Sequence, residues 1–340
     1  MEKKRPLFID ALAQVFIKPR GILKMSQVWL PLSLILVGGT RMNPHVQVYA
    51  PLYLIAAVLC KGLSSILIND LTDREIDRRA GKERWITSIP LPAGILIPAL
   101  LLAAGFLALI KAGGDVPVFI SFTATLLLGI LYSLKPVRFK DRGIWGVLAY
   151  SLSAAILNVI VPWTLFRPAS LLLLPLLFTV VFGDKLVQIL FHQVADFDSD
   201  SAEKVKSFAV TAGWGKADRI LRFLLNMAIA ADAVLLFTIL FEMKEHPLFL
   251  WLAGLSCLLG VAASGLYVRI ISKKYRTSTE LTERLPWTYL GLSYVLFYVI
   301  PPLLLFMLAW RKPEMWVLAA LSALSLLGVS INFIFYDPKK

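Results

Sequence analysis

The sequence predicts an all-α integral membrane protein. Three observations carry that class. The 340-residue chain is 58% hydrophobic with mean hydropathy +0.74, well above the ~45–50% apolar content of a soluble domain. Apolar windows close to the ~20 residues that cross a bilayer recur ten times along it. The basic residues between the windows fall mostly in alternate loops, the bias that orients membrane proteins.

Residues 1–26 precede the first window. Leu7, Phe8, Ala11, Leu12, Val15 and Phe16 recur there at helical spacing, which predicts an interfacial helix on the cytoplasmic leaflet. The stretch is too mixed for a cleavable signal. The windows follow at 27–40, 47–68, 89–110, 116–134, 144–166, 169–195, 218–242, 248–270, 286–309 and 315–335, the first of them short. The loops between them are too brief to fold as a soluble domain, so the chain reads as one polytopic unit. Trp29, Trp145, Trp163, Trp287, Trp310 and Trp316 stand near window ends, as in an interfacial belt. Cys60 and Cys257 both lie within windows and imply neither a disulfide framework nor a metal site.

Orientation follows from the loops. With a cytoplasmic N-terminus, the loops on its side hold 27 of the 35 Lys and Arg residues and the opposite loops hold 6. An even number of spans then leaves both termini cytoplasmic. The net charge of +13 is a topology signal, and a nucleic-acid partner is not expected.

Directly after the second window the chain reads INDLTDREIDRR, from Ile68 to Arg79. Asn69, Asp73 and Asp77 step by four, so they share a helix face. The pattern returns in FHQVADFDSD after the sixth window, where His192, Asp196 and Asp200 stand at the same spacing, 123 residues on. Repetition on equivalent helix ends separates these carboxylates from Glu75, Glu83 and Asp218, which read as solvated loop charges. Asp70 is a further candidate ligand, whereas Asp198 lies off the shared face.

Two carboxylate clusters brought together repel unless a cation sits between them. Oxygen-only ligands select a hard divalent ion, and Mg²⁺ favours a few carboxylates completed by water and phosphate oxygens. The expected ligand is therefore Mg²⁺ carrying a diphosphate. A basic counterpart is present in YSLKPVRFKDR, where Lys135, Arg138, Lys140 and Arg142 follow Tyr132 and Ser133. Pro136 limits helix continuation there and turns Arg138 and Lys140 toward the site. Arginine grips phosphate oxygens through two donors, and lysine acts as a point charge.

Polar residues continue into the apolar windows. Lys61 and Ser65 precede Asn69, and Asp184 and Gln188 precede His192, again offset by 123 residues. Intramembrane charges are costly enough to be functional candidates. Lys61 and Asp184 are expected within reach of one another or of a shared polar cavity above the diphosphate. Asp232, a lone charge in the seventh window, calls for an interior partner.

NDLTDREID and HQVADFDSD resemble the two Asp-rich motifs of the UbiA-type intramembrane prenyltransferase superfamily, and YSLKPVRFK resembles its Tyr-Ser-x-x-Pro-x-Arg-x-Lys loop. The three motifs occur in the family's order, and the resemblance covers roughly residues 15–310. It implies a bundle of nine core transmembrane helices around a central cavity (27–310, with pseudo-repeats marked by the motifs at 69–77 and 192–200), plus an additional helix over 315–335. It further implies that Asn69, Asp73, Asp77, Asp196 and Asp200 hold two or more Mg²⁺ ions, with Asp70 a further candidate from its place in the first motif. Arg74, Ser133, Arg138 and Lys140 would then contact the diphosphate, and Tyr132 would lie near the breaking C–O bond. Lys61, Asp184, Gln188 and His192 become acceptor or cavity candidates, and for His192 support of Asp196, contact with diphosphate and receipt of the acceptor's proton all remain open.

Two departures from the family fall in the capping loops. An Arg-Pro-Leu stretch common after the first motif is replaced by KERWITSIPLPAG, with only Arg84 and Pro90 nearby. Lys204 stands where the second motif often has Gly. NDxxDREID is similar over its short length to the branch that prenylates chlorophyll-type tetrapyrroles.

The implied reaction is Mg²⁺-dependent transfer of a prenyl group from a prenyl diphosphate to a lipophilic acceptor (aromatic, quinone precursor, tetrapyrrole or lipid). The alternative on the same residues is an intramembrane terpene cyclase, which consumes no acceptor. A transporter also uses repeats and buried charges, but here the charges gather at helix ends and both repeats lie on one side.

Orientation is open to direct test. In a Cys60→Ser, Cys257→Ser background, Ser201→Cys should react with a membrane-impermeant maleimide only in inverted vesicles, and Arg41→Cys only in right-side-out ones. The reverse pattern would refute the assignment.

Overall fold

The computed structural model describes residues 27–38, 44–75, 86, 89–168, 173–255, 258 and 287–335. The interfacial helix expected over 1–26, most of the 248–270 window, Asp77 and Arg84 lie outside them. The described residues are helical throughout their length apart from turns, and their one β-type contact is an isolated bridge between Gly143 and Ser207.

In chain order the helices are α1 (Trp29–Val37), α2 (Pro44–Thr72), α3 (Leu91–Lys111), α4 (Val116–Ser133), α5 (Ile144–Phe166), α6 (Leu173–Ala195), α7 (Phe197–Ala202), α8 (Phe208–Ala212), α9 (Trp214–Glu242), α10 (287–311) and α11 (Trp316–Phe335). Among the described residues seven helices are long and apolar enough to cross a membrane: α2, α3, α4, α5, α6, α9 and α10. The first window is a different case. Nine-residue α1 is only ~14 Å long at 1.5 Å per residue, against a hydrocarbon core of ~30 Å, and Trp29 through Leu36 are all buried. A helix apolar on every side belongs inside a bundle.

Neighbours in sequence are neighbours in space. α2 packs on α3 and α4, α4 on α5, α5 on α6, α6 on α9, α9 on α10 and α10 on α11. α1 lies against both α10 and the end of α5. Burial varies with position in this succession: α5 and α10 hide about half of their apolar windows, α3 and α9 barely more than a quarter. Leu96, Leu100, Leu107 and Ile110 of α3, and Phe223, Phe237 and Phe241 of α9, face outward. Such continuous apolar surface is a liability in water and a match to lipid chains.

Two of the long helices contain a single wide turn, at Ile156–Ile160 of α5 and Val295–Val299 of α10. Each lies just before proline, Pro162 in the first case and Pro301 and Pro302 in the second. Proline donates no N–H and its ring collides with the carbonyl four residues earlier. Widening the preceding turn relieves the collision without ending the helix. The Asn158 amide nitrogen donates to the Ala154 carbonyl at 2.8 Å and Thr164 Oγ1 to that of Ile160 at 2.9 Å, so side chains of α5 bond back to carbonyls around the widened turn.

α2 ends at Thr72 and α6 at Ala195, 123 residues later. In both places i→i−4 bonding runs on into the acidic motif, from the Asp73 N–H to the Asn69 carbonyl (3.0 Å) and from the Asp196 N–H to that of His192 (2.9 Å). The carboxylates therefore sit on helical turns, not in open loop.

The link between α4 and α5 is shaped by close approach. A Cβ on Gly146 would lie 2.7 Å from the Phe139 carbonyl oxygen and 2.9 Å from Lys140 Cα, so only glycine lets the turn Phe139–Asp141 rest on the start of α5. Gln193 has a similar fixing role on α6. Its buried Oε1 accepts from the Phe208 N–H (3.0 Å) and the Ala209 N–H (3.4 Å), anchoring the start of α8. Between them, Lys204 adopts φ +56°, a left-handed conformation that favours glycine, at the position where the sequence departs from the resembled motif.

Two outcomes follow for stability. Gly146→Ala should destabilise the detergent-solubilised protein by about 1–3 kcal/mol through overpacking. Lys204→Gly should leave its melting temperature unchanged or raise it, because relief of ~1 kcal/mol of left-handed strain outweighs or balances the added chain entropy. Differential scanning fluorimetry separates the two directions.

Candidate active site

The end of α2 meets the loop after α4 in a compact polar cluster. Lys140 Nζ donates to Asn69 Oδ1 at 2.9 Å and to both oxygens of Asp73 at 2.6 Å. An Arg138 guanidinium nitrogen donates to Asp73 Oδ1 at 2.8 Å, and Ser133 Oγ to Asn69 Oδ1 at 3.3 Å. Arg138, Lys140 and Asp73 side chains are only 10%, 12% and 19% exposed, so these contacts escape most of the screening that weakens surface ion pairs. Burial pushes the Lys140 ammonium below the ordinary lysine range, against the opposing pull of its hydrogen bond to Asp73.

Local geometry delivers the two cations. α4 stops at Ser133, and the Arg138 N–H returns to the Leu134 carbonyl at 2.8 Å. Arg138 adopts φ +40°, and its guanidinium also pairs with Asp141 at 2.5 Å. The reversal at Arg138 brings Lys140 to Asp73 from the same short loop. Arg142 turns away and donates to the Pro136 carbonyl at 3.0 Å, which ties the loop to itself. The Gly143 N–H reaches the Lys206 carbonyl at 3.2 Å, joining the basic loop to the segment after the second acidic motif.

Tyr132 stands next to Ser133 at the end of α4, its ring 6.1 Å from that of Tyr150 on α5. Asn69, Asp73, Ser133, Arg138 and Lys140 are thus in direct contact. Asp196 and His192 are exposed at the end of α6, the His192 ring 6.3 Å from that of Phe191. Asp70 is buried and, one residue past Asn69, points about 100° away from the shared face. Arg74 is half-buried on the turn after Asp73.

Among the described residues no three His, Cys, Asp or Glu side chains are grouped as a metal site. The donor set nonetheless fits a hard cation. Three oxygens from Asn69 and Asp73 already converge on one positively charged nitrogen, and such oxygens are what Mg²⁺ takes.

Deeper in the bundle the polar ladders separate. Asp184 accepts from Gln27, from Tyr289 and, at 2.6 Å, from Gln188, whose own carbonyl accepts from Lys185 at 2.9 Å. One turn along α10 from Tyr289, Ser293 donates to Asp232 at 2.9 Å, supplying the interior partner this fully buried carboxylate requires. Lys61 is held elsewhere, by Ser153 at 3.1 Å. Lys61 and Asp184 are both buried, yet they are bonded to different partners in different networks. Gln27, Tyr289, Ser293 and Ser153 were not singled out in the sequence, nor was Gln193. Ordinary polar residues in apolar windows give no signal of which charge they meet.

Solved structures share this architecture. A UbiA homologue from Archaeoglobus fulgidus bound to GPP and Mg²⁺ aligns over 83% of this chain and 98% of its own, with TM-score 0.54 and 17% identity. The structure bound to DMAPP and Mg²⁺ gives 82%, 96%, 0.54 and 18%. A digeranylgeranylglyceryl phosphate synthase gives 85%, 97%, 0.56 and 15%. At these identities the likeness establishes the fold. No functionally curated protein matches the chain in sequence. Residues 28–280, well over half of the chain, match the profile of the UbiA prenyltransferase family, and the protein belongs to that family.

Proposed function

We propose that the protein transfers a prenyl group from a prenyl diphosphate to a lipophilic acceptor within the membrane, with Mg²⁺, and releases diphosphate. The observation that supports this most is the contact of Asn69 and Asp73 with Arg138 and Lys140 at the end of an apolar bundle. Acidic oxygens for a cation and cationic nitrogens for phosphate meet there at one point. The A. fulgidus homologue of the same fold binds GPP or DMAPP together with Mg²⁺, which agrees with that pairing.

Asn69, Asp70, Asp73, Asp77, Asp196 and Asp200 would hold two or more ions. Bound there, Mg²⁺ supplies charge neutralisation for the diphosphate as a leaving group. Arg138 and Lys140, with Arg74 and Ser133, grip the phosphate oxygens and stabilise the charge that grows on them as the C1–O bond breaks. The electron pair leaves with diphosphate, and the Tyr132 ring faces the allylic cation. Apolar helix walls exclude water from that cation. The acceptor then forms its bond to C1 and gives up a proton, with Lys61, Asp184, Gln188 and His192 as the polar groups available to it. In the membrane the acidic motifs and both termini face the cytoplasm, as the loop charges favour.

The test is diphosphate release by purified protein with geranyl, farnesyl and geranylgeranyl diphosphates, with and without a membrane-lipid extract. Release should require the extract and cease when Mg²⁺ is chelated. Asp73→Ala, Asp196→Ala and Lys140→Met should each lower the rate about 10²–10³-fold, as loss of one electrostatic stabiliser does. Release without acceptor, yielding a hydrocarbon or alcohol, would instead identify a cyclase.

A further inference from the structure

The outer face of α9 changes character along its length. Ala217, Leu221, Leu225, Ala228, Leu235 and Ile239 are buried and mark the core side of the helix. At 100° per residue Lys216, Arg219, Phe223, Met227, Val234 and Phe237 fall together within an arc of ~80° on the opposite side. The four apolar members are each more than half exposed. Lys216 and Arg219 are exposed as well, and their side chains form no hydrogen bond or ion pair among the described residues. Neighbouring Arg222 differs, because Asp218 holds it at 3.0 Å. One face thus runs from two uncompensated cations into a continuous apolar stripe.

Its dimensions are those of a bilayer. From Phe223 to Phe241 the stripe measures ~27 Å along the helix axis, close to a hydrocarbon core of ~30 Å. Lys244 closes the far end, its Nζ 4.8 Å from the centre of the Phe241 ring. At the near end Arg219 and Lys216 lie ~6 and ~10 Å beyond Phe223, at the level of lipid headgroups. Two like charges three residues apart repel, and a phosphate between them offsets that repulsion through charge-assisted hydrogen bonds. A soluble anion matches the cations and leaves the stripe unused. A phospholipid with net negative charge matches both.

We propose that the start of α9 is a binding site for an anionic phospholipid of the adjoining leaflet. Its phosphate lies between Lys216 and Arg219, and an acyl chain lies along Phe223, Met227 and Val234, which cover the ~16 Å depth of one leaflet. A zwitterionic lipid carries its own cation and gains less from the pair. The site adjoins the segment that follows the second acidic motif, because the start of α9 packs on α8, which Gln193 of α6 anchors. The inference stands independently of the transferase reading.

The experiment is native mass spectrometry of the full-length, detergent-purified protein titrated with palmitoyl-oleoyl phosphatidylglycerol or the phosphatidylcholine of the same chains. The wild-type protein should bind phosphatidylglycerol saturably and more tightly than phosphatidylcholine, with inorganic phosphate failing to displace it. The double variant Lys216→Gln, Arg219→Gln should lose about 10–30-fold in affinity for phosphatidylglycerol, the effect of removing two cations beside an anionic headgroup, and none for phosphatidylcholine. A control double variant, Lys204→Gln with Lys206→Gln, removes the same charge nearby and should keep the wild-type affinity. Equal binding of the two lipids by the wild-type protein, displacement by phosphate, or equal losses in the two double variants would overturn the inference. Exposed positions on a helix face tolerate such changes, and the wild-type preference between the two lipids decides even where a variant does not fold.

Discussion

The carboxylate of Asp73, held by Lys140 and Arg138, is the contact on which the arrangement of the site depends. It joins the end of α2 to the loop between α4 and α5, two segments some 65 residues apart in sequence. Both cations come from one turn, and their repulsion is offset by Asp73 on one side and Asp141 on the other. Remove the carboxylate and two buried cations face one another without compensation, which costs more than the pair itself contributes. The loop geometry and the contacts of Asn69 with Ser133 and Lys140 go with holding these charges together.

The surrounding bundle makes that cluster consequential. Long apolar helices with outward-facing Leu, Ile and Phe on α3 and α9 put a low-dielectric medium directly above a concentrated set of charges. Electrostatic interactions strengthen where water is scarce. The same medium makes an unpaired interior polar group costly, and the partners that interior charges find differ. Asp184 is surrounded by neutral donors from α6, α10 and the start of α1, and Asp232 by Ser293. Lys61 meets a single hydroxyl. Asp184 thus has three neutral donors, whereas Lys61 has one hydroxyl acceptor.

Glycine and proline shape the walls in opposite ways. Pro162, Pro301 and Pro302 widen single turns without breaking the helices that contain them. Gly146 admits backbone-to-backbone contact that holds the basic turn against α5. Lys204 keeps a left-handed conformation with a side chain that disfavours it, and Gln193 anchors the helix that follows. These features place the basic loop within reach of the segment after the second acidic motif, through the Gly143 to Lys206 bond.

The sequence by itself determined the membrane class, the positions of most long helices, the paired acidic motifs with their offset of 123 residues, and the basic loop that answers them. These are local properties: apolar length fixes whether a segment can span, and the helical repeat fixes which residues share a face. Only the tertiary structure decided which residues from separate helices touch. Sequence placed Lys61 and Asp184 on equivalent rungs, but the packing of the helices gave one to Ser153 and the other to Gln27 and Tyr289. It also reduced the first window to a short buried helix, because burial depends on what packs around a segment and not on its hydropathy. In a membrane, lipid-facing and core-facing residues are equally apolar. Packing alone tells them apart.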